Sequence, residues 1–131
     1  MDDRIFHMLA GVAAPVSPSS HAVEIDGWVF LTGQFGRDLD RPDAALPAGI
    51  VAQTERTLRN MQRLLHQLGM SLEHMVSVRV FLTQFAEDYA AMNRVYAGFF
   101  PEGRRPTRTC VGVTGLVRGA LIEIDGIARR G

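Results

Sequence analysis

Arg108 and Glu123 are the two residues whose types and spacing best suit chemistry. Arg108 opens the short segment RTCVGV, and Glu123 interrupts the later apolar segment LIEIDGIA. A guanidinium is a planar fork of donors that holds a carboxylate through two parallel hydrogen bonds. If the two segments are paired antiparallel strands with a turn centred on residues 115–116, Arg108 lies directly across from Glu123. The pattern is compatible with a surface ion pair worth about 0–1 kcal/mol or with a carboxylate-binding site.

The residues that follow Arg108 argue for a site without deciding the question. Thr109, Cys110 and Gly112 are small, so they leave space beside the guanidinium. The thiol of Cys110 is compatible with a small, half-buried apolar side chain. A reactive thiol needs a nearby histidine or helix N-terminus to lower its pKa, and no histidine lies near it in the sequence. We assign Cys110 no nucleophilic role.

The elements that must position these residues follow from hydrophobic periodicity. The segments HAVEI and WVFLTG read as strands joined by a tight turn at Asp26-Gly27. Apolar residues at three- and four-residue spacing predict a helix over 50–68, with Gly69 as its C-cap. Alternation predicts a strand over 75–83, and a second helix begins at Phe85. With the two C-terminal strands, the order is strand, strand, helix, strand, helix, strand, strand.

This order of elements predicts a sheet with one uncovered face. Strand–helix–strand crossovers are right-handed, so both helices should lie on the same side of a mixed sheet. The segments 28–31 and 80–82 are nevertheless apolar on both faces. Because monomers rarely expose so large an apolar patch, we expect another subunit to cover the second face.

Composition narrows the class of protein. The 131 residues fit a single domain, with residues 1–14 as a candidate N-terminal extension that packs loosely. The 14 basic and 14 acidic residues form no long run of like charge, which argues against nucleic-acid binding. One cysteine and four scattered histidines predict neither a disulfide framework nor a metal site. The N-terminus has neither a signal-peptide pattern nor a membrane span, so we predict a cytoplasmic protein without a membrane partner.

From about Pro15 to Arg130, the sequence resembles the RidA (YjgF) family of enamine/imine deaminases. The most specific part is the C-terminal signature, here RPTRTCVGV followed by IEIDGIA. The segments FLTGQ, AQTERTLRNMQRLL and MNRVYAGFF support it in the family's order and spacing. The resemblance implies an α+β, chorismate mutase-like fold: a mixed six-stranded sheet with two main helices on one face. It also implies a homotrimer whose other sheet face packs at the trimer axis, with ligand clefts between neighbouring subunits.

The activity implied by the resemblance is hydrolysis of reactive enamines and imines, such as 2-aminoacrylate and 2-imino acids, to 2-oxo acids and ammonia without a cofactor. Arg108 corresponds to the arginine that clamps the substrate carboxylate, and Glu123 to the glutamate that positions the hydrolytic water. Cys110 corresponds to a cysteine that lines the family's cleft. The expected partner is a small carboxylate, with no metal involved.

Three further positions are assigned to the cleft by resemblance, each with an alternative. The Thr32 hydroxyl and the Gly33 backbone are candidates for binding ligand oxygen, although Thr32 equally suits a turn. Asn93 corresponds to an asparagine at the cleft rim, although a helix residue bonded to a neighbouring subunit is an alternative. Ser19 stands where the family's deaminases usually carry tyrosine, which leaves the substrate open.

Two alternatives to this function remain at the level of sequence. One is a catabolic deaminase of an amino-substituted unsaturated acid such as 2-aminomuconate. The other is a non-catalytic trimer that binds a 2-oxo acid or similar metabolite, because clamping a carboxylate does not by itself cause hydrolysis.

Overall fold

The computed structural model of the protein describes residues 2–131 and forms one mixed sheet with two helices. The strands lie in the order β1-β2-β3-β6-β4-β5; β4 and β5 are parallel and every other neighbouring pair is antiparallel. The elements are β1 (Ile5–His7), β2 (Ala22–Ile25), β3 (Trp28–Phe35), α1 (Ile50–Gln67), β4 (Met75–Leu82), α2 (Phe85–Phe99), β5 (Thr107–Gly112) and β6 (Ile122–Arg129). The predicted six-stranded sheet with two main helices is confirmed.

The predicted hairpin between β2 and β3 is present. Asp26 and Gly27 both have left-handed backbone angles, with φ of 51° and 80°. Such a pair of angles matches the twist of the strands it joins. The turn therefore fixes the register in which Ile25 pairs with Trp28.

Both helices pack on the same face of the sheet, as predicted. Leu58 and Met61 of α1 and Met92 of α2 are fully buried, together with Val78 and Val80 of β4. Apolar burial of this kind contributes about 1.5–3 kcal/mol for each large side chain. The helix-covered face is therefore the hydrophobic core.

The opposite face of the sheet is apolar and partly exposed. Trp28 and Phe30 retain 39% and 44% of their surface. On the same face, Arg79 of β4 makes a bidentate ion pair with Asp125 of β6, with contacts of 3.0 and 2.6 Å. Among residues 2–131 no helix covers this face. The expectation that neighbouring subunits cover it in a homotrimer stays a prediction.

The N-terminal segment departs from the expected loose extension. Ile5–His7 form the edge strand β1 against β2, and His7 Nε2 lies 2.9 Å from Glu24 Oε1. Further along, the Ala13 carbonyl lies 2.8 Å from His21 Nε2. A strand of only three residues carries too short an alternation to be recognised from sequence.

The predicted pairing of the two C-terminal strands is wrong. β4 lies between β5 and β6, so Arg108 pairs with Val78 and Glu123 pairs with Phe81. The crossover through α2 places β5 parallel to β4 at the sheet edge. β6 instead enters between β3 and β4, where its Ile122 and Ile124 become fully buried. Burial of this central strand overrides the local hairpin.

Candidate active site

Arg108 extends from β5 onto the helix-covered side of the sheet. Its guanidinium carbon lies 4.8 Å from the ring centroid of Tyr96, and Nη1 lies 3.9 Å from the sulfur of Met92. A guanidinium above an aromatic face is attracted by the ring, and its donors remain directed away from that face. In the part of the chain that the structure describes, no carboxylate pairs with Arg108. The side chain is therefore oriented but not neutralised.

A cavity of about 290 Å³ opens beside this guanidinium. We call it the arginine cleft; it is lined by Asn93, Tyr96, Ala97, Arg105, Pro106 and Arg108. The Tyr96 hydroxyl and Asn93 Oδ1 are buried and have no hydrogen-bond partner within residues 2–131. Buried polar atoms are normally paired, so these two groups suit a polar ligand. Asn93 thus lines the same cavity as Arg108.

Glu123 extends from β6 on the opposite, uncovered side of the sheet. The carboxylate packs directly on Gly33, where an added Cβ would collide with Glu123 Oε2. Burial raises the pKa of the Glu123 carboxyl, and the negative charge of Asp125 raises it further. No arginine or lysine of the described residues pairs with it. Glu123 is therefore a half-buried acid whose charge is not neutralised.

Glu123 lines a second cavity, of about 250 Å³. We call it the glutamate cleft; its polar lining comes from Ser17, Thr32, Gln34, Arg37 and Glu123, and Gly33 forms part of its wall. The Thr32 hydroxyl donates a hydrogen bond to the Ser20 carbonyl. Its proton is therefore used within the chain, which favours the structural role of Thr32 over donation to a ligand. Its oxygen retains the capacity to accept a bond from a ligand.

Arg37 is a cleft residue that sequence reasoning missed. Only 6% of its surface is exposed, and Nη2 donates to the Ala14 carbonyl at 2.8 Å. Burial lowers the pKa of the Arg37 guanidinium, and the nearby charge of Arg118 adds to this effect. Arg37 thereby holds the segment before β2 as a wall of the cleft. In sequence it lies in the charged loop GRDLD, where an arginine normally indicates a solvated side chain.

Ser19 does not line either cleft. Its side chain is exposed, and its hydroxyl lies 3.0 Å from that of Ser17. Ser17 is the member of this pair that lines the glutamate cleft. Ser19 could therefore influence a substrate in the cavity only through its contact with Ser17, and its role in substrate binding stays a prediction.

Cys110 lies on β5 opposite Val80, on the same side of the sheet as Arg108. Burial raises the pKa of the thiol, and the positive charge of Arg108 opposes this only in part. A raised pKa keeps the group protonated and poorly nucleophilic at neutral pH.

Cys110→Ala is expected to retain most of the wild-type kcat/KM. The reason is that a protonated, half-buried thiol offers packing but little reactivity, so its loss removes only part of one small side chain. Steady-state kinetics on any hydrolysed imine, with circular dichroism as a check of folding, measures this. Complete inactivation of a folded Cys110→Ala protein would show that the thiol acts in the chemistry.

The two central residues lie on opposite faces of one subunit. Arg108 and Glu123 are separated by three residues along β4, roughly 10 Å, and by two strand spacings, also roughly 10 Å. Adjacent strand residues project to opposite faces, which places Arg108 with the core residue Val78 and Glu123 with Phe81. One small ligand cannot contact both side chains within one subunit.

Comparison with known proteins shows the family to which the chain belongs. The family model for endoribonuclease L-PSP matches residues 11–130. The chain belongs to that family. It is the family of the Rid, RutC and YjgF proteins, so the resemblance inferred from the sequence is confirmed.

Relatives in this family carry deaminase names. The chain is 38% identical over 119 residues to the 3-aminoacrylate deaminase RutC of Acinetobacter baylyi, covering 90% of this chain and 91% of that protein. It is 30% identical over 118 residues to the 2-iminobutanoate/2-iminopropanoate deaminase of Mus musculus, covering 90% and 85% respectively. The family therefore includes imine deaminases.

Solved structures agree with the fold. RidA from an Antarctic Psychrobacter species superposes with a TM-score of 0.84 at 31% identity, covering 91% of this chain and 94% of that one. Escherichia coli TdcF, solved with bound serine, gives a TM-score of 0.83 at 30% identity, covering 92% and 94%. Neither helix within residues 2–131 combines the length and apolarity needed to cross a membrane.

Proposed function

We propose that this L-PSP family protein is a cofactor-independent deaminase that hydrolyses reactive 2-imino acids and their enamine tautomers to 2-oxo acids and ammonia. The observation that carries the proposal is the separation of Arg108 from Glu123. A surface ion pair would have neutralised both groups, whereas each lies beside its own cavity without a charged partner among residues 2–131. Relatives named as imine and aminoacrylate deaminases support this reading.

In the proposed mechanism, the guanidinium of Arg108 binds the substrate carboxylate through two parallel hydrogen bonds. This orients the electrophilic imine carbon towards Glu123 of a neighbouring subunit, which accepts a proton from a water molecule. The water oxygen bonds to that carbon as the C=N electrons move to nitrogen, which takes up the proton held by Glu123. Glu123 then accepts the hydroxyl proton of this carbinolamine and passes it to the nitrogen. The C–N bond breaks as the C=O bond forms, so that ammonia leaves and the 2-oxo acid remains.

The raised pKa of Glu123 suits this role. A general base is most effective when its pKa lies near the working pH, and burial in the glutamate cleft shifts the carboxyl in that direction. Orientation of water and substrate supplies the rest of the rate enhancement. No nucleophilic side chain takes part in the proposed reaction.

The complete cleft is proposed to form between subunits of a homotrimer. The exposed face that bears Trp28 and Phe30 is the surface that a neighbour would cover. In the proposed trimer, the glutamate cleft of one subunit meets the arginine cleft of the next. This arrangement accounts for the placement of the two groups on opposite faces of a single sheet.

The test is competition with semicarbazide for an imine generated in situ by an amino-acid oxidase. A deaminase removes the imine before it reacts, so added protein should slow semicarbazone formation in a concentration-dependent manner. Glu123→Gln should abolish the effect while binding of a 2-oxo acid is retained. If the wild-type protein binds a 2-oxo acid by calorimetry but leaves semicarbazone formation unchanged, the protein is a non-catalytic metabolite-binding trimer instead.

A further inference from the structure

A second arginine lines the arginine cleft. Arg105 lies in the turn between α2 and β5, and its Nε donates to the Phe100 carbonyl at 3.0 Å. This bond fixes the side chain through one nitrogen and leaves Nη1 and Nη2 available. Within residues 2–131, no carboxylate pairs with Arg105. The lining of the arginine cleft thus includes two guanidinium groups and no carboxylate.

Tyr96 lines the arginine cleft together with both arginines. Its ring is stacked beneath Arg108, and the charges of both Arg108 and Arg105 act on its phenol. Tyr96 is only 5% exposed, yet its hydroxyl has no partner in the described chain. Burial raises the pKa of this phenol despite the two positive charges. Tyr96 therefore presents an O–H donor beside two guanidinium groups.

This combination offers more hydrogen-bond donors than one carboxylate uses. A single carboxylate satisfies one guanidinium fork, and Arg108 is already assigned to it. A buried donor without a partner costs about 1–3 kcal/mol, so the Tyr96 hydroxyl and Arg105 together favour a second anionic group in the same cavity.

We propose that Arg105 and the Tyr96 hydroxyl bind a second, distal carboxylate of the substrate, so that the protein selects imines of dicarboxylic amino acids. The proposal rests on the proposed imine deaminase function and specifies its substrate class. The distal carboxylate would accept hydrogen bonds from Arg105 Nη atoms and from Tyr96, while Arg108 holds the carboxylate next to the imine carbon. Hydrolysis then proceeds at the same carbon as described above.

The test compares two substrates that differ only in the distal group. Imines generated by oxidation of glutamate and of norvaline have the same chain length, and only the first carries a second carboxylate. We expect wild-type kcat/KM to favour the glutamate imine by about 10- to 100-fold, the effect of one charged hydrogen-bonding contact. Arg105→Met should remove most of this preference, and Tyr96→Phe should remove a smaller part of it.

Arg104→Met is the matched control. Arg104 precedes Arg105 in the same turn, but it lines a different groove, beside Phe99 and Glu73. Its replacement should leave the glutamate-to-norvaline ratio at the wild-type value. Equal rates for the two imines with wild-type protein, or an unchanged ratio in Arg105→Met, would overturn the second-carboxylate site.

A binding measurement separates this proposal from the proposed catalysis. Calorimetry with 2-oxoglutarate and 2-oxopentanoate compares the same distal groups on unreactive ligands. Tighter binding of 2-oxoglutarate that is lost in Arg105→Met supports the site even if no imine is hydrolysed. Equal affinity for the two ligands overturns it even if the deaminase activity is present.

Discussion

Arg108→Lys is expected to lower kcat/KM for imine hydrolysis by about 10- to 100-fold, equivalent to about 1.5–3 kcal/mol. Lysine keeps the positive charge but presents a point charge on a flexible chain, so it cannot form two parallel bonds to a carboxylate. It also loses the planar stacking on the Tyr96 ring that orients the guanidinium. Steady-state kinetics with the semicarbazide assay measures the loss.

The same substitution at Arg94 is the control for Arg108→Lys. Arg94 is an exposed residue of α2 and lines neither cleft. Arg94→Lys should therefore retain wild-type kcat/KM, and both variants should show wild-type circular dichroism. Near-normal turnover by a folded Arg108→Lys protein would refute bidentate binding of the carboxylate.

The helices and the first hairpin were predictable because their determinants are local. The apolar spacing of residues 50–68 specifies a helical face, and Asp26-Gly27 supplies the left-handed angles of a tight turn. The pairing of β5 was not predictable in this way. Segments 107–112 and 122–129 are near in sequence and look like a hairpin, but β6 gains more burial between β3 and β4. Long-range burial decides that choice.

The candidate site shows the same division between local and long-range information. The types of Arg108 and Glu123 indicated their chemistry, whereas their placement on opposite faces depended on strand order. In the sequence, Tyr96 lies in the apolar helical segment MNRVYAGFF and Arg105 in the charged turn EGRRP, and neither position by itself indicates a binding site. Only the packing of α2 against β5 brings both to Arg108. Their shared cavity therefore required the structure.

Mixed trimers provide the sharpest test of a cleft shared between subunits. As homotrimers, Arg108→Lys should retain about 1–10% of wild-type kcat/KM. Glu123→Gln should retain about 1% or less, since general-base contributions are typically 10²–10⁴-fold. If each site takes Arg108 from one subunit and Glu123 from the next, random assembly of equal amounts leaves about one site in four with both native residues. Co-expression of the two variants with different affinity tags should therefore restore about a quarter of wild-type activity.

Mixing wild type with the double variant Arg108→Lys/Glu123→Gln independently tests whether the site is shared between subunits. A site within one subunit would leave about half of the sites intact, whereas a site shared by two neighbours leaves about a quarter. Light scattering on both mixtures checks that the assemblies are trimers, which the exposed Trp28 and Phe30 face leads us to expect. Half-maximal activity here, together with no recovery from the two single variants, would place Arg108 and Glu123 in the same subunit's site. The placement of Arg108 and Glu123 on opposite faces of the sheet predicts that a quarter of the sites stay intact.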